Sequence, residues 1–124
     1  MLPREVRKYL FDIAQACDLL IQFTKGKSLA DYATDPLLRS AGERQFEAIG
    51  EALNQALRLH PGLSKRIIDS QRIIAFRNRL IHGYASVSNE LVWGVVEASL
   101  PTLSHEAHAL LGESEGENQT LAGE

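Results

Sequence analysis

Apolar residues recur every three or four positions along most of the chain, which is the spacing of one face of an α-helix. Residues 3–24 carry the first such face, whose members are Val6, Leu10, Ile13, Cys17, Leu20 and Thr24. Gly26 follows directly, and glycine commonly ends a helix because it adopts a left-handed backbone without strain. The pattern therefore predicts a first long helix that ends near residue 25.

Capping residues predict where the next helices begin. Ser28 and Asp31 have the spacing of a capping box, so a single helical turn is expected after the first helix. Asp35 and Pro36 are a stronger start signal, since aspartate caps helices and proline fits their first turn. The second long helix then runs to about residue 59, and its apolar face consists of Leu38, Ala41, Gln45, Ile49, Ala52, Ala56 and Leu59.

An acidic row lies on the opposite side of this second helix. Glu43, Glu47 and Glu51 repeat every four residues. Because neighbouring carboxylates at this spacing repel each other, we interpret the row as a solvated face.

The C-terminal half of the chain predicts two more long helices. The third lies between Ser64 and His82, and Asp69 offers an alternative, later start. Ser88 caps the fourth helix, whose apolar stripe consists of Trp93, Val96, Leu100, Leu103, Ala107 and Leu110. Pro101 lies inside this stripe, and we expect it to kink or break the helix because proline lacks the backbone N–H.

Together these elements predict an all-α fold, an antiparallel bundle of four to five helices in residues 1–111. From Gly112 the chain is polar and acidic, so we expect residues 112–124 to form a disordered tail. The single cysteine, Cys17, excludes an intrachain disulfide and fits a reducing compartment. No ligand spacing of a metal site occurs, and no apolar run reaches the length of a membrane span. We therefore expect a cytoplasmic protein without a metal or other cofactor.

The charge distribution leaves room for a nucleic-acid partner although the net charge is −3. The tail holds four of the 16 acidic residues and none of the 13 basic ones, so the rest of the chain is slightly positive. The third helix and its approach hold a cluster of basic residues, namely Lys65, Arg66, Arg72, Arg77 and Arg79. A local positive field of this kind matters more for a polyanion than the total charge does.

Arg77 breaks the pattern of the third helix, because it falls near the middle of the apolar arc. The apolar members of that arc are Ile73, Ile74, Phe76, Leu80 and Ile81. An unpaired buried charge is costly, so Arg77 must meet a carboxylate, face a second subunit or line a cleft. Asp12 or Asp18 of the first helix would serve as the carboxylate if the role of Arg77 is structural.

The polar side of the third helix is ordered as well. Lys65, Arg72 and Arg79 repeat every seven residues and form a basic stripe if the helix spans all three. Asn78 and His82 share a neighbouring face. On an ideal helix Arg77 and His82 differ by about 140°, so either the histidine swings at the helix end or two copies of the helix build a composite site.

Arginine and histidine together suit the cleavage of RNA. Histidine moves protons near neutral pH, and arginine stabilises the phosphate oxygens as charge builds on them. RNA supplies its own nucleophile, the 2′-hydroxyl, so this reaction needs no metal. The simpler alternative is that His82 only interacts with the helix C-terminus and that Arg77 is a structural ion pair.

Residues 76–84, Phe-Arg-Asn-Arg-Leu-Ile-His-Gly-Tyr, resemble the Arg-x4-His-x-Tyr motif of HepT-like proteins in the HEPN superfamily. Residues 47–52 resemble the Ile-Gly-Glu-Ala stretch of the preceding helix in that family. Residues 92–96 and 100–103 resemble its following helix, including the proline. The resemblance covers nearly the whole chain except the acidic tail.

This resemblance implies a metal-independent endoribonuclease toxin that works as a homodimer, with its site at the subunit cleft. Arg77 and His82 would carry the catalysis, and Asn78 would support the site. The partner would be a minimal nucleotidyltransferase antitoxin that transfers AMP to the motif tyrosine, Tyr84, where the bulky anionic group would repel RNA. Two alternatives are a non-catalytic helical subunit that presents nucleotide or substrate to a nucleotidyltransferase, and a plain dimerisation protein. The intact Arg77, His82 and Tyr84 favour the enzyme.

Overall fold

The computed structural model describes residues 2–82 and 87–123, with side chains described as far as Glu113. Within these residues the chain forms six α-helices and one 3₁₀ helix, and it forms no strand. In chain order the elements are α1 (Arg4–Thr24), α2 (Leu29–Thr34), α3 (Pro36–Leu59), a 3₁₀ helix (Pro61–Lys65), α4 (Ser70–Ile81), α5 (Asn89–Ala98) and α6 (Leu100–Gly123). The predicted all-α bundle is confirmed.

The long helices α1 and α3 form the centre of the bundle. α1 packs against α3 and α6, and α3 also packs against α4. Phe46 of α3 meets Phe76 of α4 edge to face, with ring centroids 5.1 Å apart. On the other side, Tyr32 of α2 packs against Trp93 of α5 at 5.7 Å. Aromatic contacts of this geometry stabilise both helix pairs beyond the area that they bury.

The predicted capping residues determine where three of the helices begin. At α2, Ser28 Oγ accepts a hydrogen bond from Asp31 N–H, and Asp31 Oδ2 accepts one from Ser28 N–H. Asp35 Oδ1 accepts hydrogen bonds from two backbone N–H groups of the first turn of α3, and Ser88 Oγ accepts one at the start of α5. Gly26 follows α1 with φ +73°, the left-handed conformation expected of a C-terminal cap. These predictions are confirmed.

The C-terminal half differs from the sequence pattern in two places. The predicted fourth helix is broken into α5 and α6, as Pro101 indicated, and the proline is the second residue of α6, where its missing N–H has no intrahelical partner to lose. The third predicted helix begins at Ser70, the later of the two proposed starts. Residues 61–65 form a separate 3₁₀ helix, so Lys65 lies outside α4.

The buried face of α3 also differs from the predicted one. Gly42, Phe46 and Leu53 are buried there, whereas Ala41 and Gln45 are only half-buried, and Leu59 is 46% exposed. The physical reason is that α3 packs against α1 on one side and α4 on the other, which buries a wider and rotated arc.

The C-terminal segment ends the bundle. Leu110 is the last buried side chain that the structure describes, and Gly112 and Glu113 are exposed. The helical backbone of α6 continues to Gly123, and the domain boundary at residue 111 stays a prediction. The disorder expected of residues 112–124 stays a prediction. In the part of the chain that is described, no helix combines the length and the apolar character of a membrane span.

Candidate functional site

The candidate site is built where α4 crosses α3, and Gly50 determines how closely the two helices approach. A Cβ atom placed on Gly50 would lie only 2.3 Å from Cβ of Arg77 and 2.4 Å from its Cγ. These atoms belong to the root of the arginine side chain, so they cannot move aside without moving α4. Glycine at position 50 is therefore what lets the aliphatic part of Arg77 lie directly on α3.

The guanidinium group of Arg77 is bound by two acceptors. Its Nη2 donates to Oε2 of Glu51 at 2.7 Å, and its Nη1 donates to Oδ1 of Asn78 at 3.0 Å. The Arg77 side chain is 19% exposed and that of Glu51 is 50% exposed, so the ion pair lies at the edge of the bundle. Asn78 thus supports the arginine directly.

Glu51 is the carboxylate that pairs with Arg77. Neither Asp12 nor Asp18 takes that role: Asp18 pairs with His108 at 2.9 Å, and Asp12 lines a groove between α1 and α3. Glu51 is exposed, as the interpretation of the glutamate row as a solvated face predicted, and it additionally pairs with Arg77. Its position next to Gly50 brings the carboxylate to the α3–α4 contact.

Arg77 keeps a further donor at this contact. Its Nε atom is buried and has no hydrogen-bond partner among the residues that the structure describes. Buried donors are nearly always paired in folded proteins, and exceptions often mark functional positions.

His82 lies at the C-terminal end of α4, beyond Arg77. It is exposed and forms the C-cap of α4, where its backbone N–H donates to the carbonyl oxygen of Asn78 at 3.1 Å. Five residues separate it from Arg77, which corresponds to a rise of about 7.5 Å along the helix. The two residues are therefore about one and a half helical turns apart, and they do not lie on one face of α4. Tyr84, the predicted modification site, is outside the described residues.

The proposed RNA-binding residues Lys65, Arg72 and Arg79 are all exposed. Arg72 and Arg79 lie seven residues apart on α4 and share a face of it. The predicted stripe of three required a helix that spans them all, and this condition fails because Lys65 belongs to the preceding 3₁₀ helix. Next to Lys65, Arg66 pairs with Glu113 of α6 at 2.6 Å.

Gly50 and Glu51 were not recognised as site residues from the sequence, although a signal was present. A glycine inside a helix costs about 1 kcal/mol relative to alanine, so its presence indicates a reason in packing. Gly50 lies in the Ile-Gly-Glu-Ala stretch on which the family resemblance partly rests. What this stretch contacts became evident only from the packing of α4.

The described part of the chain offers no group of three or more histidine, cysteine, aspartate or glutamate side chains arranged to hold a metal ion. The one cysteine, Cys17, is buried in the core. Burial, with a smaller contribution from the charge of Asp18, raises the pKa of its thiol to about 12. The thiol is therefore protonated at neutral pH and is a poor nucleophile.

Comparison with known proteins places these features in a family. Residues 13–110 match the sequence family described as "Ribonuclease HepT-like". The chain is 34% identical over 106 residues to "Putative RNase TTE0752" of Caldanaerobacter subterraneus subsp. tengcongensis, covering 85% of this chain and 93% of the relative. It is 33% identical over 106 residues to "Probable ribonuclease HepT" of Thermococcus cleftensis, covering 82% and 92%.

A third relative is matched over almost the full length of both chains. "Putative RNase MJ1216" of Methanocaldococcus jannaschii is 25% identical over 121 residues, which covers 96% of this chain and 98% of the relative. No solved structure matches the chain significantly.

Proposed function

This chain belongs to the HepT-like ribonuclease family, and we propose that it is an endoribonuclease that cleaves RNA through Arg77 and His82 without a metal ion. The observation that supports this proposal is the set of contacts that holds Arg77 in place. A helix packed only for stability would not hold an arginine within its apolar arc, with the aliphatic part of the side chain against a glycine. Here Gly50, Glu51 and Asn78 together orient it.

The chemistry follows from the two side chains. The 2′-hydroxyl oxygen of RNA forms a bond to the adjacent phosphorus, and the bond from phosphorus to the 5′ oxygen of the next nucleotide breaks. The hydroxyl loses a proton and the leaving oxygen gains one, and a histidine exposed at the end of α4 is suited to carry such a proton. Arg77 stabilises the charge that builds on the non-bridging oxygens. The products are a 2′,3′-cyclic phosphate and a free 5′-hydroxyl.

The proposal includes a homodimer whose two subunits face each other at this site. Arg77 and His82 point about 140° apart on an ideal helix, so one copy of α4 does not direct both at the same phosphate. Ile81, next to His82, is 43% exposed. In the proposed dimer the second subunit would cover this apolar side chain. In this arrangement a phosphate is bound between Arg77 of one subunit and His82 of the other.

The proposed regulation involves Tyr84, two residues after His82. The family resemblance suggests that a cognate minimal nucleotidyltransferase transfers AMP from ATP to the tyrosine hydroxyl and releases pyrophosphate. The added phosphate would repel RNA from His82. In this proposal the chain is the toxin of a toxin–antitoxin pair. Co-expression with the enzyme encoded beside it should add the mass of one AMP at Tyr84, and a modification found only elsewhere would overturn this part.

RNA cleavage in the presence of a chelator tests the central proposal. Wild type should cleave RNA and leave cyclic phosphate ends, whereas His82→Ala and Arg77→Ala should each lose the activity. His105→Ala is a matched control, because this histidine is also exposed but lies on α6. Equal cleavage by His82→Ala and wild type would refute the assignment of His82, whereas no cleavage by wild type would favour the non-catalytic subunit of a nucleotidyltransferase. Expression of wild type should slow growth, and the two variants should relieve this effect.

A further inference from the structure

A groove of about 400 Å³ between α1 and α3 opens beside the candidate site. Glu51, which binds Arg77, also lines this groove. The groove exists because small side chains face each other where the two helices pack: Ala16 and Ala52 are buried at 5% exposure each and leave space above them. Its volume lies within the range of about 300–1,000 Å³ found for small-ligand sites.

The chemistry of the rim selects which part of an RNA could enter. The polar lining residues are Tyr9, Asp12, Gln15, Gln45 and Glu51. No lysine or arginine lines the groove, and two carboxylates repel phosphate, so a phosphate is a poor occupant. Carboxylates accept hydrogen bonds, amides both donate and accept, and an aromatic ring stacks on a base. This set matches the edge and face of a nucleobase.

We propose that this groove binds the base of a nucleotide next to the scissile phosphate, and that Asp12 makes it favour adenine, cytosine and guanine over uracil. The inference rests on the proposed ribonuclease function, because it takes the phosphate to be bound at Arg77. Since Glu51 belongs to both sites, a base in the groove lies next to the phosphate-binding arginine. Adenine, cytosine and guanine carry exocyclic amino groups that donate to a carboxylate. Uracil has no exocyclic amino group: a carbonyl oxygen takes its place, and the one ring donor, N3–H, lies between two carbonyl oxygens that repel Asp12.

The test measures base preference at the cleavage site in a pool of RNAs with random sequence. Wild type should cut about tenfold less often beside uracil than beside the amino-bearing bases, which is within the range of one well-placed polar contact. Asp12→Asn adds an amide donor that binds a uracil carbonyl. Cleavage beside uracil should therefore increase, and the base preference should largely disappear. Asp18→Asn is the matched control, because Asp18 is an exposed carboxylate of the same helix that lies outside this groove.

A binding measurement separates failure of this inference from failure of the proposed function. His82→Ala protein should bind single-stranded oligoadenylate more tightly than oligouridylate, and the additional Asp12→Asn change should abolish the difference. If wild type cleaves RNA but Asp12→Asn keeps the wild-type preference, the groove does not read the base. If Asp12→Asn changes only the monomer–dimer equilibrium, a second subunit occupies the groove, and the inference is overturned. If no RNA is cleaved but base-dependent binding changes as expected, the groove assignment stands without the nuclease.

Discussion

The two proposed catalytic residues are held by the fold in different ways, although they lie five residues apart on one helix. Arg77 is largely buried, its aliphatic part lies on Gly50, and its guanidinium group binds Glu51 and Asn78. His82 is exposed at the C-cap of α4. In the proposed mechanism the phosphate-binding group is therefore fixed by packing, whereas the proposed proton carrier lies at the surface, where a substrate or a second subunit would reach it.

This difference has a consequence for mutational data. A substitution at Arg77 or at a residue that contacts it alters the contact between α3 and α4, so it affects both stability and chemistry. A change at His82 removes an exposed side chain, so we expect it to affect chemistry more than stability. Stability and activity measured together therefore distinguish the roles of Arg77 and His82.

The largest effect is expected for His82→Ala. Removing a general acid or base lowers a cleavage rate by about 10²–10⁴-fold, whereas truncating an exposed side chain together with its surface contacts changes the free energy of unfolding by about 1 kcal/mol or less. Steady-state cleavage of a fluorescent RNA and urea denaturation measure the two quantities. If His82→Ala lowered the free energy of unfolding by more than about 1 kcal/mol, the proposed contrast between Arg77 and His82 would be contradicted.

The next largest effect is expected for Gly50→Ala. The new Cβ meets the root of the Arg77 side chain, so α4 must shift away from α3. Overpacking of this kind costs about 1–3 kcal/mol, and a displacement of about 1 Å at a catalytic group can reduce the rate about 100-fold. Both losses should occur together in the denaturation and cleavage measurements.

Gly94→Ala is the control for this substitution, because Gly94 also lies within a helix and nothing lies within 4 Å of a Cβ placed there. Alanine is the better helix former, so Gly94→Ala should stabilise the protein by up to about 1 kcal/mol and leave cleavage unchanged. If both glycine variants behave alike, the close approach at Gly50 does not position Arg77.

The sequence predicted the helices well because their boundaries depend on local chemistry. Ser28, Asp35 and Ser88 cap helices within the same few residues of chain, and Pro101 breaks one for the same kind of reason. The late start of α4 was less certain, because Asp69 precedes the helix without a side-chain capping hydrogen bond. The all-α class followed from spacing alone.

The site was only half predicted, because its other half depends on packing between helices that are distant in sequence. The position of Arg77 in an apolar arc showed that it needed a partner. Identifying Glu51 as that partner required the crossing of α3 and α4 at Gly50, which no periodicity within one helix specifies. Helical spacing placed Glu51 on a solvated row, and half of its side chain is in fact exposed.

A smaller effect is expected for Glu51→Gln, which tests how firmly the guanidinium group of Arg77 is held in place. Glutamine keeps the shape and can still accept a hydrogen bond, but the charge that orients the guanidinium group is lost. We expect cleavage to fall about tenfold, equivalent to about 1.4 kcal/mol, with little change in stability because the pair lies at the edge of the bundle. Glu47→Gln, one turn earlier in the same row, should change neither. Equal activities of the two variants would show that Arg77 is positioned without Glu51.

The smallest effect is expected at α2, and it tests whether stability alone governs activity. Ser28→Ala removes the cap of α2 and should cost about 1 kcal/mol, while cleavage at 25 °C stays unchanged because α2 packs mainly against α3 and α5. The hydrogen bonds from Ser28 hold the pKa of Asp31 below its usual value of 3.8. A carboxyl with a lowered folded-state pKa stabilises the protein above the unfolded-state value and loses this contribution as the pH falls through the folded-state pKa. Alanine keeps the backbone N–H of residue 28, which contributes most to the lowered pKa, so wild type and Ser28→Ala should both lose this contribution below about pH 4. Most of the stability difference between them should therefore persist at both pH values, as measured by urea denaturation. If this remote substitution reduces cleavage as much as Gly50→Ala does, general stability rather than the positioning of Arg77 limits the activity. The contrast between Arg77 and His82 then loses its basis.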